Sequence, residues 1–120
     1  MKKIFFGMLC LASSATFAAG TAVCASPTAS QASTVTVTAD GTTFVKEAFK
    51  PKCSANVHLA YEQNGVNFAA AGASSKGKSV FGGHTGGGGV TSVGACASTS
   101  CGASDATGAT EALLTAAAAS

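Results

Sequence analysis

This chain of 120 residues contains no arginine, only two prolines, and few charged side chains (10%). Two of its seven lysines, Lys2 and Lys3, fall in an export signal. The five that remain balance Asp40, Glu47, Glu62, Asp105 and Glu111, so the processed chain is neutral. A neutral, arginine-free chain lacks the electrostatic footprint of a nucleic-acid binder. Lys46, Lys50, Lys52, Lys76 and Lys78 lie in the middle of the chain and read as a solvated face. Long apolar runs are absent too. Ile4–Ala12 is too short to span a membrane stably, and no later segment qualifies.

Motifs of chemistry are equally sparse. There is no G-x-S-x-G elbow, no C-x-x-C redox pair and no haem-attachment motif. His58 and His84 stand far from one another and from the C-x4-C pair Cys96 and Cys101, which is not a zinc signature. Glu47, Glu62 and Asp105 form no pattern for paired-carboxylate catalysis. The expectation is a protein that is not an enzyme and holds no metal or cofactor.

Gly72-Ala73-Ser74-Ser75-Lys76-Gly77-Lys78-Ser79 fits the phosphate-binding pattern G-x-x-x-x-G-K-[ST]. That chemistry requires a strand before the loop and a helix beginning at the Lys-Ser, whose N-terminal dipole faces the phosphates. Val66–Ala71 can supply the strand, but six of the ten residues from Val80 to Gly89 are glycine. At about 1 kcal/mol lost per glycine relative to alanine, no helix forms there. The nucleotide reading fails, and Gly82-Gly83 with Gly86–Gly89 read instead as a flexible surface loop, with close backbone approach to a partner surface or a neighbouring strand as the other reading.

Residues 1–18 have the form of a secretory signal peptide in a bacterial style. Lys2-Lys3 is followed by an apolar core, and Thr16-Phe17-Ala18 ends it with residues suited to cleavage. Removal takes Cys10 and leaves Cys24, Cys53, Cys96 and Cys101, an even number in an exported chain. Two disulfides are expected. Of the three connectivities, Cys53–Cys96 with Cys24–Cys101 is preferred, and a local Cys96–Cys101 bridge is the close alternative.

Residues 19–33 read as a flexible N-terminal arm, 34–103 as a small β domain, and 104–120 as a helical or frayed tail in which Thr110 caps Glu111–Thr115. Within the β domain, Thr34–Thr38 and Thr42–Lys46 flank Asp40-Gly41 as a hairpin, with Val37 opposite Phe44. A second hairpin turns at Asn64-Gly65. It sets Tyr61 opposite Phe68 and Leu59 opposite Ala70, with Val57, Leu59 and Tyr61 on the apolar side and His58 and Glu62 on the polar side. Lys78–Phe81 and Val90–Val93 form a third pair.

The expected fold is therefore mainly β: a small disulfide-stabilised domain of β-hairpins with a glycine-rich loop and a weak C-terminal helix. Its large apolar side chains are few, so association or disulfides must supplement a thin core. The function expected is that of a non-catalytic exported envelope or surface protein, an interaction or structural subunit that meets a protein partner or its own copies. A secreted toxin-like or bacteriocin-like polypeptide is the alternative, and a small hydrolase ranks last. The expected location is the periplasm, the cell surface or the medium.

Overall fold

The computed structural model describes residues 20–25, 31–32 and 36–120. The signal segment and residues 19, 26–30 and 33–35 lie outside the described residues. Seven strands and one helix follow in chain order: β1 (Thr21–Cys24), β2 (Gln31–Ala32), β3 (Lys52–Cys53), β4 (Val57–Gln63), β5 (Phe68–Ser74), β6 (Ser79–His84), β7 (Thr91–Ala95) and α1 (Ala103–Ala118). Five of these strands make one antiparallel sheet in the order β1-β4-β5-β6-β7, and β2 pairs with β3 beside it. The fold is mainly β, as composition and turn signals indicate.

The β4–β5 hairpin forms where expected, but its register differs by two residues. Tyr61 pairs with Ala70, Leu59 with Gly72, and Gln63 with Phe68. The connection is therefore Asn64–Asn67 rather than Asn64-Gly65 alone. The Asn64 side-chain carbonyl accepts hydrogen bonds from the N–H groups of Val66 (3.0 Å) and Asn67 (2.8 Å), which holds the longer turn closed. A shift of two residues preserves the faces. Tyr61 and Phe68 still stack, with ring centroids 5.7 Å apart.

Among the described residues, the first expected hairpin is absent. Val37 bridges Phe49, not Phe44, through hydrogen bonds of 2.8 and 3.2 Å. The Asp40 carboxylate is the physical reason. It accepts from the Thr42 N–H (2.8 Å), the Thr42 hydroxyl (2.7 Å) and the Thr43 N–H (3.0 Å), bending the chain locally instead of aiming donors across a ladder. The same bonds hold the Asp40 carboxyl down at a pKa of about 2. The loop then leans on the sheet: the Gln63 amide donates to Thr38 O (2.8 Å) and accepts from Val45 N (3.0 Å).

The third pair forms as β6 and β7, but β6 extends through Gly82, Gly83 and His84. Gly82 and Gly83 are thus paired strand residues and not part of a flexible loop. Residues 85–90 connect β6 to β7, with Gly87 and Gly88 at positive φ.

The largest departure is the helix. α1 is no frayed tail: it packs on β4, β5 and β6 and buries Ala106, Thr110, Leu113 and Ala117. Thr110 lies inside it, fully buried, its hydroxyl donating to Thr107 O, so it caps nothing. The N-terminus is closed by Asp105, which accepts from the Gly102 N–H at 2.8 Å. The sheet face under α1 is the one carrying His58, Ala60, Ala69, Ala71, Ala73, Val80 and Gly82, nearly all small residues. Small side chains let the helix approach closely, so His58 becomes buried (6% exposed) where alternation of polarity placed it in solvent.

Cys24–Cys53 and Cys96–Cys101 are the two disulfides, with Cα–Cα distances of 5.6 and 5.2 Å. The preferred Cys53–Cys96 and Cys24–Cys101 pairing is incorrect. Cys24 and Cys53 lie by neighbouring sheets around Val23, Val37 and Tyr61. Cys101, at the foot of α1, packs with the other core cluster, where Cys96 also sits. Two bridges of this kind suit an oxidising compartment outside the cytosol. Among the described residues, no helix is long and apolar enough to cross a membrane.

Candidate functional site

The glycine-lysine motif folds as a β-turn. Gly72–Ser74 end β5, residues 75–78 make the turn, and Ser79 begins β6. The turn uses its own amides internally: Gly77 N–H donates to Ser74 O at 2.8 Å, and Lys76 N–H to the Ser74 hydroxyl at 3.2 Å. A strand follows Lys78 where phosphate binding needs a helix N-terminus. No phosphate cradle exists there.

The titratable groups are dispersed. His58 pairs with Ala73 and His84 with Ala69. Four residues of β5 therefore separate them, or about 13 Å along the strand. His84 Nδ1 accepts from Gly86 N–H at 3.0 Å, and no described bond engages His58 Nδ1, although the side chain is buried. Glu62 sits in the row of Ala69 and His84, beneath α1, with Oε2 buried and unbonded. Loss of solvent, then the nearby Glu111 carboxylate, pushes the Glu62 pKa up. Asp105 shifts the other way, held down by hydrogen bonds from Ala97 and Gly102 and, less strongly, by His58. The described residues include no cluster of three metal-ligating side chains. Each of the four cysteines among the described residues is held in a disulfide.

What the structure does assemble lies on the sheet face opposite α1. The loop over residues 36–53 covers this face near β1 and β4, where Val23, Cys24, Val37 and Tyr61 are buried with Val45, Leu59 and Phe68 beside them. Over β5 and β6 the face is bare. Pairing sets Leu59, Gly72 and Phe81 in one row, and Ala70 beside Gly83 in the next. The result is an apolar trough of about 610 Å³ running along β5. Ala70, Gly72 and Ser74 form its floor, Val57 and Leu59 one wall, and Phe81 and Val90 the other. Phe81 and Val90 are 52% and 76% exposed, so this wall faces water. A second hollow of about 300 Å³ shares Ala70 and Val90 and carries the trough on towards Phe68 and His84.

Beyond the trough lies β7, the sheet's terminal strand. Thr91, Ser92, Val93, Gly94 and Ala95 are all exposed and include neither a charge nor a proline. The sequence reveals the strand but not its edge position, because order within a sheet is set by tertiary pairing. The trough has a faint sequence signal, a glycine alternating with residues of an otherwise apolar strand face, which marks close approach or a gap.

No family model, curated protein or solved structure matches this chain.

Proposed function

We propose that this chain is a non-catalytic exported protein of the envelope or cell surface, an interaction or structural subunit that joins a protein partner or further copies by strand addition at β7. The observation carrying this reading is the open edge: a terminal strand exposed at every residue, without lysine, proline or inward charge to block pairing. An incoming strand gains a main-chain ladder there, and Val93 offers an apolar contact. The scattered histidines and carboxylates, and the use of all four described cysteines in disulfides, fit a role in assembly rather than chemistry.

The test is cross-linking of the oxidised, processed protein in its native compartment, with Val93→Lys beside the wild type. Loss of a specific cross-linked species on adding this single edge charge is expected. A species that persists undiminished, or no specific species in either case, overturns the reading.

A further inference from the structure

We infer that the trough along β5 is a binding site for a single-chain anionic amphiphile, with its hydrocarbon chain over Gly72 and its acidic head at Lys78.

Shape is the first argument. The trough is one strand wide, and its continuation past Gly83 makes it long in one direction and narrow in the other. Its volume of about 610 Å³ falls among small-molecule sites rather than protein interfaces. Val90 narrows the far end: a Cβ added at Gly83 would stand 3.5 Å from its Cγ2.

Hydrogen bonding disfavours a peptide occupant. β5 is paired on both sides, with β4 along all seven of its residues and with β6 from Ala69 to Ala73. Its backbone donors and acceptors are therefore committed to the ladder. A polypeptide laid in the trough would find little with which to satisfy its own N–H and C=O groups, and each one buried unpaired weakens binding. A hydrocarbon chain carries no such groups.

Charge is the third. No carboxylate lines either hollow, and at the β5–β6 turn end of the trough the charged lining group is Lys78. Lys78 is exposed and makes no ion pair among the described residues. A flexible ammonium beside an apolar channel complements an anionic head whose tail lies in the channel.

The site is separate from the β7 edge, so either proposal can fail alone. The experiment titrates the oxidised, processed protein with cis-parinarate, whose fluorescence rises in apolar surroundings, then competes with dodecanoate and with methyl dodecanoate. Saturable binding of one probe per chain, displaced by dodecanoate, is expected. Gly72→Leu should weaken it by about tenfold or more by filling the floor. A Cβ there meets only ordinary contacts, 3.5 Å to His58 O and 3.6 Å to Leu59 Cδ1. Lys78→Gln should weaken dodecanoate by about threefold or more and leave the methyl ester unchanged. If Gly72→Leu does not fold, Phe81→Asp decides: it sets a carboxylate in an exposed wall and should abolish binding. The inference is overturned by absence of saturable binding, or by variants that bind like the wild type. It is equally overturned if light scattering shows a dimer that Phe81→Asp dissociates, since a second copy would then fill the trough.

Discussion

Leu113 rests directly on Gly82. A Cβ on that glycine would stand 2.5 Å from Leu113 Cδ1, 2.7 Å from Ala70 O and 3.1 Å from the Ala71 Cβ. The side chain can swing away, but the carbonyl of a paired strand cannot. Gly82→Ala should therefore destabilise the fold by about 1–3 kcal/mol, the usual effect of overpacking a close contact. Urea unfolding followed by circular dichroism measures it. Gly72→Ala, on the opposite face and without such a contact, should shift the midpoint far less.

The glycine pair Gly82-Gly83 shows how composition misleads. Glycine weakens a strand in isolation, so a cluster of six near His84 reads as a loop. In the folded chain Gly82 is what lets α1 sit down on the sheet. The strand survives because α1 covers it, a long-range contact that no local propensity encodes. His58 fails for a related reason. Alternation ranks the Val57, Leu59 and Tyr61 face as the buried one by the size of its side chains. The helix instead selects the alanine face, where its own Ala106 and Ala117 can approach. Local signals did succeed where geometry is local: a hairpin that turns near Asn64, the strands on either side of it, and two disulfides among the four described cysteines. The trough stayed hidden because it depends on which half of a face the loop over residues 36–53 leaves uncovered.

The two disulfides should differ in worth. Cys24–Cys53 closes a separation of 29 residues and Cys96–Cys101 one of 5. Loop-closure entropy in the unfolded chain then gives about 3.5 kcal/mol for the first and about 2 for the second. Replacing Cys24 and Cys53 together by serine should lower the denaturation midpoint more than replacing Cys96 and Cys101. The reverse order would mean that native contacts, not chain entropy, set the ranking.

Beneath α1, Glu62 makes stability fall as pH rises out of the acid range. Burial and Glu111 raise its pKa above 4.5 in the folded chain. The folded state therefore holds its proton more tightly than the unfolded state does. Stability from this group is fully present below pH 4.5 and is lost as pH rises through the raised folded value. Unfolding free energy should fall across that window in the wild type. In Glu62→Gln the fall should be absent, and a slope unchanged by the substitution would assign it elsewhere.

Asp105 acts with the opposite sign. Its carboxylate joins the Ala97 N–H, within the Cys96–Cys101 loop, to the Gly102 N–H that opens α1. Those bonds lower its pKa below 3.8, so its contribution is present above the unfolded value and is lost as pH falls through the folded one. Asp40, held at about 2, titrates in the same direction. Asp105→Ala should lower the denaturation midpoint at neutral pH, because it removes the N3 acceptor that closes the start of the helix. It should also flatten the acid limb of the stability profile, while Asp105→Asn keeps an acceptor for one of the two amides and recovers part of the neutral-pH loss without restoring that limb. Hydrogen exchange at the Ala97 and Gly102 amides locates the effect. Faster exchange at both in Asp105→Ala is expected, because one carboxylate holds the disulfide loop and the helix start together; protection retained at either would show that the two are anchored independently.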